Sequence, residues 1–293
     1  MRIEAKSLRR FGLLVALTLT AACEAGTDRN TGSEPRSGSV ISTGGVQIHY
    51  DDHGSGPTTL VLVHGWSCDR SYWSEQVEPL SRHYRVVTLD LGGHGQSGLG
   101  RPEWTIASFG QDVAAVIDAL QLDSVVLVGH SMGGDVIFQA ARLRPEKVRA
   151  LIMLDTYKQL GDGSSDAEID AIVEQISADF SAVTENFVRG MFPQDADPDL
   201  VDRVAADMAA APPEVAISAI RSSYLHAREI PDLIASLGKP VVAINPDDAP
   251  THRESMSRYG VDVVIMRDVG HFLMMEDPAR FNELLLDTLD ELL

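Results

Sequence analysis

The sequence predicts an α/β protein, a mostly parallel sheet flanked by helices with a helical segment inserted between two late strands. Three observations carry that prediction. Short apolar runs recur along the chain, most of them followed by a stretch of helical period, the pattern of strands buried on both faces and joined by crossover helices. About 74 residues, 157–230, then interrupt the alternation with an Asp- and Ala-rich, helical stretch broken at Pro193, Pro198, Pro212 and Pro213. Strands of one sheet are normally joined by far fewer residues, so this stretch is expected to be a helical cap and not a structureless loop. Finally, 293 residues with 44% hydrophobic and 23% charged side chains suffice for a sizeable core. That composition excludes disordered, collagen-like and multi-span membrane proteins.

The N-terminus reads as an address. Arg2, Lys6, Arg9 and Arg10 precede an apolar run from Phe11 to Ala22. The run is too short to cross a hydrocarbon layer of roughly 30 Å but has the length of the apolar region of a secretory signal. It ends in Thr20-Ala21-Ala22-Cys23, which resembles a bacterial lipobox, where the cysteine is lipidated and becomes the first residue; the position usually held by Leu is Thr20. The expectation is a signal peptide over 1–22, a lipid on Cys23, a flexible Gly/Ser/Thr-rich tether over 23–40 and a folded body over 41–293. The product would be exported and anchored to a bacterial membrane, at the outer membrane or cell surface. Cleavage near Ala22 without lipidation would leave it periplasmic or secreted.

Within the body, strands are expected at Val46–Asp51, Thr59–Val63, Tyr84–Leu89, Ser124–Val128, Val148–Leu154, Val241–Ile244 and Val261–Met266. Helices are expected over Asp69–Ser81, over Ser108–Leu120 with its apolar residues at helical spacing, over Met132–Leu143 before Pro145, and over Phe281–Leu293. Cap residues Phe187, Met191, Phe192 and Tyr224 could pack onto the mouth of the sheet.

The chemistry collects at strand ends. Gly129-His130-Ser131-Met132-Gly133-Gly134 lies between a strand and a helix, the G-x-S-x-G turn that exposes a serine hydroxyl at a helix N-terminus. Serine needs a base, and His271 in Gly270-His271-Phe272 follows the last strand, over the same sheet edge. An oxyanion needs backbone donors; the N–H of Met132 and that of Trp66, in the His64-Gly65-Trp66 loop, are the expected pair. His64 itself reads as a structural ring bonding the loop, and Cys68 as a small buried residue instead of a rival nucleophile.

Together, His64-Gly65-Trp66, Asp90-Leu91-Gly92-Gly93-His94-Gly95-Gln96-Ser97, the Ser131 turn, and Gly270-His271-Phe272 with Glu276-Asp277-Pro278 resemble the α/β-hydrolase superfamily over residues 43–293. The closest likeness is to its capped esterase, lactonase and haloperoxidase-like members. The resemblance implies an eight-stranded, mostly parallel sheet, a Ser-His-Asp triad and no cofactor or metal. Ser131 excludes the dehalogenase and epoxide hydrolase chemistries, which place Asp there. The triad acid usually follows the penultimate strand, but the family's Gly-x-x-Asp spacing falls here on Ala249. Asp247 is placed first, with Asp155, at the end of the strand before the cap, and Asp248 as open alternatives.

The expected function is hydrolysis of a small or medium carboxylic ester or lactone through an acyl-enzyme. Acyl transfer, perhydrolysis, or a non-catalytic binding protein on the same fold are the rivals. Trp66, Trp104, Phe272 and the Met274-Met275 pair suggest apolar pocket walls. The net charge of −19, from 24 basic and 43 acidic residues, argues against a nucleic-acid partner. Two cysteines cannot build a disulfide framework or a four-thiolate zinc site. The expected partner is a small acyl substrate, with a membrane reached only through Cys23.

Overall fold

The computed structural model describes residues 36–293. The signal segment 1–22, Cys23 and the tether up to residue 35 lie outside the described residues. Among the described residues the sheet has eight strands in the order β1-β2-β4-β3-β5-β6-β7-β8. These are β1 (Arg36–Ile41), β2 (Gln47–His53), β3 (Thr59–Val63), β4 (Arg85–Leu89), β5 (Val125–His130), β6 (Val148–Leu154), β7 (Val241–Pro246) and β8 (Val261–Met266). β2 runs antiparallel to β1 and to β4, and every other neighbouring pair is parallel. β3 and β5 are buried at every residue, as their unbroken apolar character requires of strands covered on both faces.

The chain leaves β3 through α1 (Ser74–Ser81) to β4 on one side, and leaves β5 through α3 (Met132–Leu143) to β6 on the other. Right-handed crossovers in opposite directions put those helices on opposite faces. The strand order therefore reverses beside β3 and β5, and a crevice opens beyond their C-terminal ends, where open α/β sheets bind ligands. α2 (Ile106–Ala119) packs against α3, which also carries α8 (Ile230–Leu237), while α11 (Pro278–Leu292) packs against α1. Thr105 starts α2 with a reciprocal cap, accepting from Ser108 N–H at 3.1 Å while Ser108 Oγ accepts from Thr105 N–H at 3.0 Å.

Between β6 and β7 the expected helical insertion consists of α4 (Asp166–Ala178), α5 (Phe180–Arg189), α6 (Pro198–Ala209) and α7 (Pro213–His226), followed by α8. Pro198 and Pro213 sit at first-turn positions, where a missing N–H costs nothing, so they start helices here instead of only breaking them. The chain then closes with α9 (Arg253–Arg258), α10 (Leu273–Glu276) and α11.

Most element ends fall within one to three residues of expectation, and two differences go further. The tether does not run to residue 40, because Arg36–Ile41 pairs along its whole length with β2. An edge strand is held by backbone bonds and its six residues, RSGSVI, carry almost no apolar signal. The helix expected over 69–81 begins as a 3-10 turn, Arg70–Trp73, capped by Asp69, whose carboxylate accepts from Ser71 N–H at 2.7 Å.

Candidate active site

Ser131 stands between β5 and α3 with φ 52° and ψ −122°, a left-handed backbone that costs a non-glycine residue about 1–3 kcal/mol. Its surroundings hold it there. Ser131 N–H donates to Leu154 O at 2.9 Å, and Thr156 Oγ1 donates to Ser131 O at 3.0 Å. The glycines around it answer to close packing. A Cβ on Gly129 would strike the Gly133 backbone, one on Gly133 the carbonyls of Val63 and His64, and one on Gly134 the Thr156 side chain.

His271 follows β8 and is held from several sides. Its N–H donates to Met191 O at 3.1 Å, and His130 Nε2 donates to its carbonyl at 2.9 Å. Glu276 takes the two neighbouring amides, accepting from Gly270 at 2.8 Å and Phe272 at 3.0 Å. Burial raises the Glu276 carboxyl above its ordinary value despite those two bonds, which lower it. His130 is fully buried, and burial first, then the neighbouring His271 ring, lowers its pKa to about 3. It is therefore a neutral ring packed 4.7 Å from that of His271.

The acid is where sequence and structure part. His271 Nδ1 lies 2.7 Å from Asp155 Oδ2, with the two side chains 14% and 7% exposed. Asp247, placed first by sequence, is exposed and accepts from Asp268 N–H at 2.9 Å. Asp248 accepts from Lys158 Nζ at 2.7 Å and from its neighbour Ala249 N–H at 2.8 Å. So Asp247 is corrected to a loop anchor and Asp155 takes the place against the imidazole. The physical reason is adjacency: β6 and β7 are neighbouring strands, and both bring an acid to the same edge. Asp155 itself has φ 42°. Burial alone would raise its carboxyl, but the bonds and charges of His271 and Lys158, whose Nζ lies 2.9 Å from Oδ1, outweigh burial and hold it below the ordinary carboxylate range. Lys158, which also donates to Pro246 O at 3.1 Å, was not legible as a site residue, since it lies just past the strand end with no motif around it.

Ser131, His271 and Asp155 line one cavity of about 240 Å³, together with Trp66 and Met132. Met132 begins α3, so its amide is among the unpaired helix-start donors. The Trp66 indole has a second duty, donating from Nε1 to Ala216 O of α7 at 2.7 Å and thereby tying the cap to the β3 loop. Its ring lies edge-on to Phe180 and Phe187 of α5 at 6.2 and 6.4 Å. His64 accepts at Nε2 from Leu91 N–H at 3.0 Å, which leaves Nδ1 to donate to Gly65 O at 2.8 Å. Burial lowers its pKa to about 4, and the ring is a loop brace. Cys68 is buried against the Trp66 carbonyl, and burial first, then Asp207 and Asp69, raise its thiol well above the ordinary range, which removes it as a nucleophile. Of the expected walls, Trp66 and Phe272 line the cavity, joined by the cap residues Phe187, Met191 and Tyr224, while the cap's Phe192 stacks on Phe272 at 4.9 Å. Trp104, Met274 and Met275 are packed elsewhere in the core and its margin.

Residues 58–208 match the family model described as the α/β-hydrolase fold, and the chain belongs to that family and is an enzyme of its kind. It is 30% identical over 273 residues to the dihydrolipoyllysine-residue acetyltransferase component of the acetoin cleaving system from Pseudomonas putida, covering 90% of this chain and 71% of that one. It is 32% identical over 148 residues to the pimeloyl-[acyl-carrier protein] methyl ester esterase of Aliivibrio salmonicida, 49% of this chain and 54% of that one. The match thus spans from 54% to 71% of such relatives' length. In fold it is similar to a malate-bound thermophilic esterase from Thermogutta terrifontis, with a TM-score of 0.76 at 24% identity, covering 88% of this chain and 99% of that one.

Proposed function

We propose that this enzyme cleaves a small or medium carboxylic ester, or a lactone, through an acyl-enzyme on Ser131, with His271 as base and Asp155 as its orienting acid. The observation that carries the reading is the 2.7 Å His271–Asp155 bond on the wall of the cavity that also receives the strained serine. Asp155 accepts from Nδ1–H, which leaves Nε2 as the basic nitrogen. Ser131 Oγ attacks the acyl carbonyl as Nε2 takes its proton. The amides of Met132 and Trp66 hold the oxyanion. Collapse expels the alcohol, which takes the proton from Nε2. A water molecule then attacks the acyl-enzyme, losing its proton to Nε2, and the acid departs as Ser131 recovers its hydrogen. No step calls for a metal or cofactor.

A second reading, transfer of the acyl group to an acceptor other than water, is favoured by the name of the Pseudomonas putida relative. One assay separates the two: hydrolysis of a short p-nitrophenyl ester is followed with and without added alcohol or peroxide. The hydrolytic reading expects free acid as the main product throughout. A new ester or peracid that displaces the acid would transfer the proposal to an acyltransferase or perhydrolase.

The N-terminal segment supports a further proposal, export and lipid anchoring at Cys23. Expressed in a bacterial host, the chain is expected in the membrane fraction, with Cys23→Ala releasing it to the soluble fraction. Equal membrane association of both forms would refute the anchor.

A further inference from the structure

One edge of the catalytic cavity is polar and remains unused by the mechanism above. Asp135 lies on α3 four residues beyond Ser131, about 6 Å further along the helix axis, and is 2% exposed. Its Oδ1 accepts from the Tyr157 hydroxyl and its Oδ2 from the Ser223 hydroxyl. His226 Nδ1 lies 3.2 Å from Oδ1. Asp135, Tyr157 and Ser223 all line the cavity.

The direction of these bonds is fixed from outside. Arg142 Nε donates to Gln139 Oε1 at 2.9 Å, so the Gln139 amide nitrogen faces His226 Nε2, at 2.7 Å, and donates to it. His226 Nδ1 therefore carries the hydrogen and gives it to Asp135. Burial first, and the Asp135 charge second, push the Tyr157 hydroxyl well above its ordinary range, so it keeps its hydrogen as well. Both hydroxyls of this edge, Tyr157 and Ser223, thus spend their hydrogens on one carboxylate. What they retain toward the cavity are lone pairs.

We propose that Tyr157 and Ser223, turned toward Asp135, form an acceptor-only edge of the cavity, and that the substrate is a carboxylic ester carrying a hydrogen-bond donor, such as a hydroxyl, a few bonds from the scissile carbonyl. The inference rests on the hydrolase reading and names its substrate class. Phe187, Met191 and Ile220 supply apolar wall; of the other hydroxyls in the lining, Thr156 spends its hydrogen on Ser131 O and Tyr224 stands on the cap helix α7. An alkyl group packed on the polar edge would leave two buried acceptors without partners, whereas a hydroxyl would pair with one.

The test compares methyl 3-hydroxybutanoate with methyl 3-methylbutanoate, which differ by hydroxyl against methyl. Each kcat/KM is divided by the ester's own rate constant with hydroxide, which removes intrinsic reactivity. The expected ratio favours the hydroxy ester by about tenfold, and the Tyr157→Phe/Ser223→Ala double variant brings it to near one. Because a ratio cancels the folded fraction, loss of protein does not imitate the result. A clamp that only joined α3 to the cap would leave the ratio unmoved. The inference is overturned by a ratio at or below one in the native enzyme, by an unchanged ratio in the double variant, or by failure to turn over the hydroxy ester. The hydrolase reading is judged separately, by labelling of Ser131 with a fluorophosphonate, so the two can fail independently.

Discussion

Replacing Ser131 by alanine is expected to lower kcat for an ester substrate by about 10⁴–10⁶-fold, while the protein still folds and binds. Alanine keeps the Cβ, so it pays the same backbone cost at φ 52° as serine does. The bonds that hold the turn, from Ser131 N–H to Leu154 O and from Thr156 Oγ1 to Ser131 O, involve the backbone of residue 131 and survive the substitution. The variant therefore removes one oxygen atom and little else. Thermal unfolding of both proteins should agree within the few degrees that a surface substitution produces, while turnover and fluorophosphonate labelling are lost together. Residual turnover above the uncatalysed rate is expected, since the Met132 and Trp66 amides remain to bind the oxyanion. Activity close to native in Ser131→Ala would remove the serine mechanism.

Much of this site was legible because its central pieces are local. The nucleophile turn is six consecutive residues between a strand and a helix, and each glycine answers to a steric demand imposed within the same turn or by the adjacent β3 and β6 ends. His271 was legible for a similar reason, since it sits directly after the last strand. The parts that were not legible depend on what lies beside what. Asp155 is 116 residues from His271, and sequence offered a second acid at the end of the neighbouring strand. Only the register of β6 against β7, and the Lys158 side chain between Asp155 and Asp248, separates their roles. Glu276 was visible as part of a motif, yet its grip on the amides either side of His271 follows from the short helix α10 folding back. The Asp135 network joins α3 to residues of the cap, and no local pattern sets which face of α7 meets α3. Edge strand β1 was missed because backbone pairing, with little apolar burial, holds it.

The acid assignment leads to the second large expected effect. Asp155→Asn is expected to lower kcat by about 10⁴-fold with KM little changed, because an amide facing Nδ1 can favour the opposite tautomer and cannot stabilise the imidazolium. Asp247→Asn is expected to stay within a few-fold of native, since an amide oxygen can accept the same bond from Asp268 N–H. Combining Asp155→Asn with Ser131→Ala should cost scarcely more than Ser131→Ala alone, the behaviour of groups that act as a unit. The acid has a stability signature as well. The Asp155 carboxyl is held below its ordinary value in the folded chain, so its contribution to stability is fully present above about pH 4, the unfolded carboxylate range, and is lost as pH falls through the lower folded value. Unfolding curves from pH 7 down into acid should accordingly show a smaller loss of stability for Asp155→Asn than for the native enzyme. The geometry also predicts that Asp155 stays ionised through the range in which activity is measured, so protonation of this carboxyl does not produce an acid limb in the rate profile near neutrality. A collapse of activity in Asp247→Asn with Asp155→Asn unaffected would return the role to the β7 loop, and would mean that this loop moves onto His271 during turnover.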